Sequence, residues 1–307
     1  MPVPADVLLK SDVRYAKLFK LQAKTLIKER KSNMPEYAID THAHLRSDYD
    51  PHVFEKIQED GIIRQLWMLA HECHVETPTY HPATTAQVLE SARLFPGLIL
   101  PFGYINWRKG AEQIEKLKEQ GCFGLKAIRP IYDYNDLRYF PIYEAAEKLD
   151  MPILFHTGII AHRRREELTD PELCTGPDKM RPSFIDSIAA AFPQLKLIHG
   201  HMGVPWCNEL FESLWYYTNV RASVSGLIDW KWLIENLDCR TETGVPFHQK
   251  MMFSTDSYYG GDNLEYTYRK INFTREFFDR VGMTYCWGNA KEDFMHGNAE
   301  RFLLEKL

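Results

Sequence analysis

Ile39-Asp40-Thr41-His42-Ala43-His44 reads as the tail of a β-strand that ends in chemistry. On an extended chain residues two apart point to the same side, so His42 and His44 converge. The unit that carries them recurs along the chain. Short β-branched or apolar runs, Tyr37 to Asp40, Ile63 to Leu69, Leu98 to Ile105, Phe123 to Ile128, Ile153 to His156, Leu195 to His199, Val220 to Val224 and Met251 to Ser254, are each followed by a turn signal and then by helical periodicity. Their spacing suits a strand plus a returning helix. Many are apolar throughout, as parallel strands covered by helices must be. The pattern predicts an α/β architecture, a closed (β/α)8 TIM barrel, in which the C-terminal strand ends carry the active site. His42 and His44 fall at that end.

Helices between the runs are legible where punctuation is strong. Lys109 to Gln120 is periodic and stops at Gly121, Phe140 to Leu149 stops before Met151-Pro152, and Pro182 opens a helix that ends at Phe192-Pro193. No low-complexity linker or composition step divides residues 35–307, which are expected to form one barrel. Residues 1–34 stand before it. From Asp6 to Lys31, apolar positions such as Leu8, Leu9, Tyr15, Leu18, Phe19, Leu26 and Ile27 alternate with lysines at helical spacing. This predicts an amphipathic N-terminal helical extension that packs on the barrel or meets a second subunit of a homo-oligomer.

Composition narrows the function classes. A chain of 307 residues with 45% hydrophobic content has enough apolar surface for a barrel-sized core, which excludes a peptide, a coiled coil or a disordered regulator. Charged residues make up 26%, both signs are mixed, and the formal net charge is -5. That balance argues against nucleic acid as a partner. No apolar run reaches the roughly 20 residues that span a bilayer, so membrane insertion is not expected and a cytoplasmic protein is. Six cysteines are scattered without a CxxC pair, which predicts reduced thiols and no structural zinc held through cysteine.

A lone HxH fits either a metal ligand pair or two histidines hydrogen-bonded near a loop. The other strand ends tip that balance. Ile153-Leu154-Phe155-His156-Thr157-Gly158 puts a histidine where the fifth strand becomes a loop, and Phe253-Ser254-Thr255-Asp256 puts a carboxylate at the end of the eighth. Three histidines and an aspartate at one mouth predict a divalent metal site, because unsatisfied buried polar groups are costly. Arg129, beside Pro130 at the end of the fourth strand, is placed either to clamp a substrate carboxylate through its guanidinium or to lie over Tyr132 or Tyr134. His71-Glu72-Cys73-His74 after the second strand is dense in ligands but matches no known zinc spacing; it is read as shaping substrate access, with His71 as a substrate contact. His162 with Arg163, Arg164 and Arg165 reads as a solvated basic turn in a loop long enough to form a lid. Trp206, Trp230 and Trp232 read as packing groups.

Taken together, HxH after strand one, a histidine after strand five, HxG after strand six and Thr255-Asp256 after strand eight resemble the amidohydrolase superfamily. The most similar branch is the amidohydrolase 2 group that includes aminocarboxymuconate-semialdehyde decarboxylase and related lactone hydrolases. The resemblance runs from Tyr37 to Leu307 and includes Gly297-Asn298-Ala299-Glu300-Arg301-Phe302, similar to that branch's final helix. It implies one divalent metal, zinc in the first place with manganese as the alternative, held by His42, His44, His156 and Asp256. It aligns His201-Met202-Gly203 with the branch's HxG, where the histidine is a ligand in binuclear members and a catalytic residue in mononuclear ones. His199, whose spacing to His201 is also that of a metal-binding pair, is left one step deeper, as a barrel histidine hydrogen-bonded to a neighbour in preference to a ligand. Lys126 occupies the position where some binuclear members carry a carboxylated lysine, and is read here as a buried or substrate-facing lysine instead.

The function these readings favour is metal-dependent hydrolysis of a small, carboxylate-bearing ester, lactone or amide. A metal-activated water would attack, Asp256 would move the proton, and His201 would stabilise the oxyanion. Non-oxidative decarboxylation is the alternative. His156-Thr157-Gly158 resembles the branch's hydrolases more than its decarboxylases. A third reading is a metal-binding barrel without turnover.

Overall fold

The computed structural model describes residues 36–77, 81–226, 228–285 and 288–305. The extension expected over residues 1–34 lies outside the described residues. Nine parallel strands form one curled sheet in the order β8-β7-β6-β5-β4-β3-β2-β1-β9. They are β1 (Ala38–Leu45), β2 (Ile63–Leu69), β3 (Ile99–Tyr104), β4 (Gly124–Ala127), β5 (Ile153–Phe155), β6 (Leu197–Gly200), β7 (Val220–Val224), β8 (Met251–Phe253) and β9 (Ser257–Tyr259). Helices alternate with them: α1 (His52–Asp60), α2 (Thr85–Leu94), α3 (Glu112–Glu119), α4 (Phe140–Lys148), α5 (Ser183–Ala191), α6 (Cys207–Tyr216), α7 (Trp230–Asn236) and α8 (Leu264–Tyr285). This is the TIM-barrel arrangement that the repeated strand-helix unit predicts.

The ninth strand is the difference from that expectation. The eighth strand is broken at residues 254–256; β8 pairs with β7 and β9 pairs with β1. The two ends of the sheet therefore meet through one interrupted strand. Asp256 N donates to His42 O at 2.8 Å, and Thr41 Oγ1 donates to Phe253 O at 3.0 Å. The break places Asp256 directly over β1.

Local chemistry sets the helix ends. Thr84 caps α2 reciprocally with Gln87, and the Gly61 that stops α1 sits at φ 65, a conformation glycine adopts without a Cβ clash. α3 starts later than its periodicity suggests. Gln113 turns its amide back onto Asn106 O and Lys109 O at 3.1 and 2.9 Å, which holds the preceding residues in a turn.

Two apolar layers result. One lies between strands and helices and includes Leu66, Phe155 and Ala222. The other fills the barrel, with Ile39, Trp67, Leu100, Phe102, Leu154, Ile198 and Met252 pointing inward, and is closed at the N-terminal strand ends by Ala299, Phe302 and Leu303. Those three belong to α9 (Asn298–Leu304), whose Asn298 amide donates to His248 O and Met251 O at 2.6 Å each. With the base plugged among the described residues, the C-terminal strand ends are the open side of the barrel. Among the described residues no helix is long and apolar enough to cross a membrane.

Candidate metal centre and active site

A slip in β1 aims the histidines. Its register shifts between Asp40 and Ala43. Ile39 belongs to the inner layer while Ala43 belongs to the outer one. Unbroken alternation would have put both on one side; the slip turns His42 and His44 inward instead. Gly200 on β6 makes room, since a Cβ there would stand 3.2 Å from the His42 ring and 2.8 Å from Phe155 O.

The resulting mouth opens on a cavity of about 610 Å³, lined by His44, His71, Arg129, His156, His201 and Asp256 among others. Arg129, His201 and Asp256 sit at φ 48, 60 and 56. Left-handed backbone costs a non-glycine residue about 1–3 kcal/mol and clusters at functional sites. Three of the candidate site residues share it, each where a strand ends.

Hydrogen bonds fix the tautomers of the rings. His156 Nε2 lies 3.1 Å from Ile159 O, which only accepts, so Nε2 carries the proton. His156 Nδ1 is then the acceptor for His201 Nε2–H at 3.0 Å. His201 Nδ1 in turn accepts from the Ser225 hydroxyl at 3.1 Å, and the Ser225 oxygen accepts from His42 Nδ1–H at 3.3 Å. His42 Nε2 is left as an acceptor, with Lys126 Nζ 3.1 Å from it. His44 reaches the same state directly, since its Nδ1 donates to Leu69 O at 3.2 Å. This chain requires neutral rings. Burial supplies that condition: it pushes His42 and His156 well below the usual histidine range and His201 to about 4.

Asp256 Oδ1 lies 3.5 Å from His42 Nε2 and 3.3 Å from His44 Nε2. Burial alone would raise this carboxyl, but the His201 and His44 rings hold it down to about 2. Two imidazole nitrogens and a carboxylate oxygen thus converge beside Lys126 Nζ. The three atoms of this acceptor triangle lie within 4.8 Å of one another, a separation that the ligands of one shared cation can span. The donor set fits a divalent ion. Lys126 Nζ, 3.1 Å from His42 Nε2 and fully buried, is the nearby basic group; burial lowers it to about 7.

His42, His44 and Asp256 are therefore brought together as the strand ends suggest. His156 lies in the same mouth, its ring centroid 4.4 Å from that of His201, but both its nitrogens are engaged away from the acceptor triangle. His201 completes the mouth, 4.6 Å from the His42 ring. His71 lines the cavity with Nδ1 3.2 Å from the Tyr258 hydroxyl. Lys126 is committed to His42 inside the barrel.

Arg129 departs from the expected clamp. Its terminal nitrogens donate to Cys174 O at 3.0 Å and Ala161 O at 2.6 Å, so the guanidinium fork holds the long β5–α5 loop. It still lines the cavity, and no carboxylate pairs with it among the described residues.

His199 departs too: it faces the helices, fully buried, and neither ring nitrogen has a hydrogen-bond partner among the described residues. Its outward direction, set by the inward-pointing Ile198, removes it from the mouth. His162, Arg164 and Arg165 are exposed, whereas Arg163 reaches the cavity. Trp230 packs against Phe277 at a tilt and Trp232 is buried, as packing groups.

Two residues escape the sequence reading. Ser225 directly follows β7 and joins a candidate ligand to a candidate catalytic group; nothing in Val224-Ser225-Gly226 signals this. Asp40, fully buried, accepts from Thr255 N at 2.9 Å, Tyr259 OH at 2.8 Å, His42 N at 3.2 Å and the Thr255 hydroxyl. It ties β1 to the break that carries Asp256. An acid two residues before HxH was its available signal.

The amidohydrolase sequence model matches residues 39–304. The chain belongs to the amidohydrolase family. No curated protein matches it. Among solved structures, an uncharacterized TIM-barrel protein from Bordetella bronchiseptica is 17% identical with a TM-score of 0.58, over 87% of this chain and 98% of its own. A probable 2-pyrone-4,6-dicarboxylic acid hydrolase from Acinetobacter baumannii, with citric acid bound, is 12% identical with a TM-score of 0.56, over 87% and 99%. A 5-carboxyvanillate decarboxylase from Novosphingobium aromaticivorans, with bound manganese, is 13% identical with a TM-score of 0.54, over 88% and 97%. At these identities the likeness is one of fold. Members of the amidohydrolase family bind a divalent metal, and this amidohydrolase is a metal-dependent enzyme.

Proposed function

We propose that this amidohydrolase hydrolyses a small, carboxylate-bearing ester, lactone or amide. The observation that carries the reading is the acceptor triangle of His42, His44 and Asp256 at the wall of an open cavity, with the Asp256 side chain one-third exposed. A divalent ion held by these three residues, zinc in the first place and manganese as the alternative, would supply the Lewis acidity that activates water. His156, the fourth group of the expected set, would join them only through Nδ1 and by giving up its bond from His201.

The remaining roles belong to the chain. Asp256 is ionised and faces the cavity, so it takes the proton of the attacking water and returns it to the leaving group. His201 lines the cavity, and its Nε2–H, which rests on His156 Nδ1 at 3.0 Å, turns to the oxyanion that forms on the substrate carbonyl. Ser225 holds that tautomer. Arg129 and Lys270 contribute positive charge to the cavity wall, which favours an anionic substrate. Hydrolysis is favoured over decarboxylation because an exposed proton acceptor serves the activation of water, whereas loss of carbon dioxide calls for a proton given to carbon.

The test is a screen of lactones, esters, amides and aromatic carboxylates with metal-loaded protein, following acid release and carbon dioxide in parallel. Acid release without carbon dioxide supports the proposal. Carbon dioxide from the same anions replaces it with decarboxylation. Bound metal with no turnover, and no effect of His201 substitution on any reaction, makes the chain a metal-binding barrel.

Arg129→Lys is expected to raise KM for a carboxylate substrate and for its uncharged analogue by similar factors. Lysine keeps the charge but cannot reach both Cys174 O and Ala161 O, so the loop loosens for either ligand. A rise confined to the carboxylate would show that the guanidinium grips the substrate itself.

A further inference from the structure

The spacing of His71, Cys73 and His74 matches no helix-borne or strand-borne zinc pattern, and the scattered cysteines argue against thiolate-bound zinc. The turn that follows β2 removes the objection. It brings one ligand atom from each of the three residues within 4.8 Å of the others. Ligands about 2.0–2.3 Å from a shared ion span such separations. All three side chains are buried, Cys73 completely.

Their surroundings suit ligation. The Tyr258 hydroxyl, 3.2 Å from His71 Nδ1, is the kind of outer partner that orients a ligating ring. Cys73 Sγ and His74 Nδ1 lie 3.1 Å apart, a line along which the neutral thiol donates its one proton. Burial keeps both rings unprotonated, His74 down to about 3, and raises the Cys73 thiol to about 12. The thiolate then forms only when a cation takes the proton's place.

We infer that His71, Cys73 and His74 form a second metal site for a thiophilic divalent ion such as zinc, distinct from the group of His42, His44 and Asp256. Sulfur with imidazole is the donor set of zinc rather than of magnesium, calcium or manganese. On binding, a sulfur–metal bond forms, the S–H bond breaks, and the proton leaves to solvent. The thiolate offsets one of the ion's two charges, which matters because Arg129 contributes its charge nearby. His71 and His74 line the cavity, which gives an ion a route to the three side chains. The site also fastens a roof: Val75 N donates to Glu167 O at 3.2 Å and the Thr169 hydroxyl to Glu72 O at 3.2 Å, which couples the turn to the β5–α5 loop.

Cobalt(II) is the probe. Metal-free wild-type protein titrated with cobalt is expected to take up about two ions per chain and to develop intense thiolate-to-cobalt charge-transfer absorption. Cys73→Ser should lose that absorption and fall to about one ion, while Asp256→Ala should keep the absorption and lose the other ion. Saturated wild-type protein without the charge-transfer band overturns the inference. So does a Cys73→Ser variant with unchanged stoichiometry and spectrum. If Cys73→Ser does not fold, X-ray absorption of zinc-loaded wild-type protein decides. A sulfur neighbour at about 2.3 Å supports the site, and a shell of nitrogen and oxygen alone refutes it. The thiolate signal and the Asp256-dependent ion are read separately, so failure of either site leaves the other standing.

Discussion

Asp256→Ala is expected to abolish both metal retention and turnover, whereas His201→Ala keeps the metal at the His42, His44 and Asp256 group and loses activity. The distinction follows from the hydrogen-bond chain. Asp256 is one corner of the acceptor triangle, so its removal leaves two neutral imidazoles, too few to retain a divalent ion against dialysis. His201 spends Nδ1 on Ser225 and Nε2 on His156 and offers the triangle nothing. Its loss removes a positioned proton donor, worth about 10²–10⁴-fold in kcat. Asp256→Ala should cost about 10⁴-fold or more, because the proton acceptor and the ion go together. Elemental analysis after dialysis, with kcat/KM on the substrate found by the screen, makes the comparison. Equal metal loss in both variants would mean that His201 is a ligand.

The second large effect is expected at a residue that touches no substrate. Asp40→Ala strips the acceptor from Thr255 N, Tyr259 OH and His42 N in a fully buried setting. Unsatisfied buried donors cost about 1–3 kcal/mol apiece, so a loss of about 3–5 kcal/mol is expected after relaxation. The strand break carrying Asp256 should loosen with it, weakening metal affinity by about 10–100-fold, as outer-sphere losses do. Asp40→Asn should cost much less. Burial raises the Asp40 carboxyl against the pull of its donors, so folding carries a penalty for its charge that the amide escapes. Denaturant unfolding and metal competition measure both effects. An Asp40→Ala protein as stable as wild type, with unchanged metal affinity, would refute the positioning role.

Where side-chain period and apolar content decide the outcome, the sequence was readable. The runs at Ile63 to Leu69 and Val220 to Val224 are strands with those bounds, and the helix stop at Phe192-Pro193 is where α5 ends. The split of the eighth strand was not readable. Ser254 to Asp256 contains no glycine or proline, and the break arises because Asp40, two hundred residues earlier, binds Thr255. The slip in β1 is hidden for a related reason: Thr41-His42 alternates normally, and only its neighbours on both sides force the register to shift.

The candidate site followed the same rule. His42, His44 and Asp256 were legible because strand ends of a barrel converge wherever the barrel closes. The direction of a ring was not, since it depends on acceptors contributed by distant backbone, as Ile159 O does for His156 and Leu69 O for His44. Arg129 illustrates the limit most sharply. Its position at a strand end suited a substrate clamp, but the loop carbonyls it binds come from residues more than thirty positions away.

The plug at the base of the barrel sets an order of events during synthesis. Tyr37, which enters β1, bonds to Glu300 of α9 across a sequence separation of 263 residues, and the inner apolar layer is incomplete until Phe302 and Leu303 arrive. A nascent chain that has emerged only as far as β9 has every strand of the sheet but an open floor, with Trp67, Phe102 and Met252 facing water. Closure of so distant a contact must wait until α9 has cleared the ribosome, and the partly built barrel is in the meantime a natural client for chaperones.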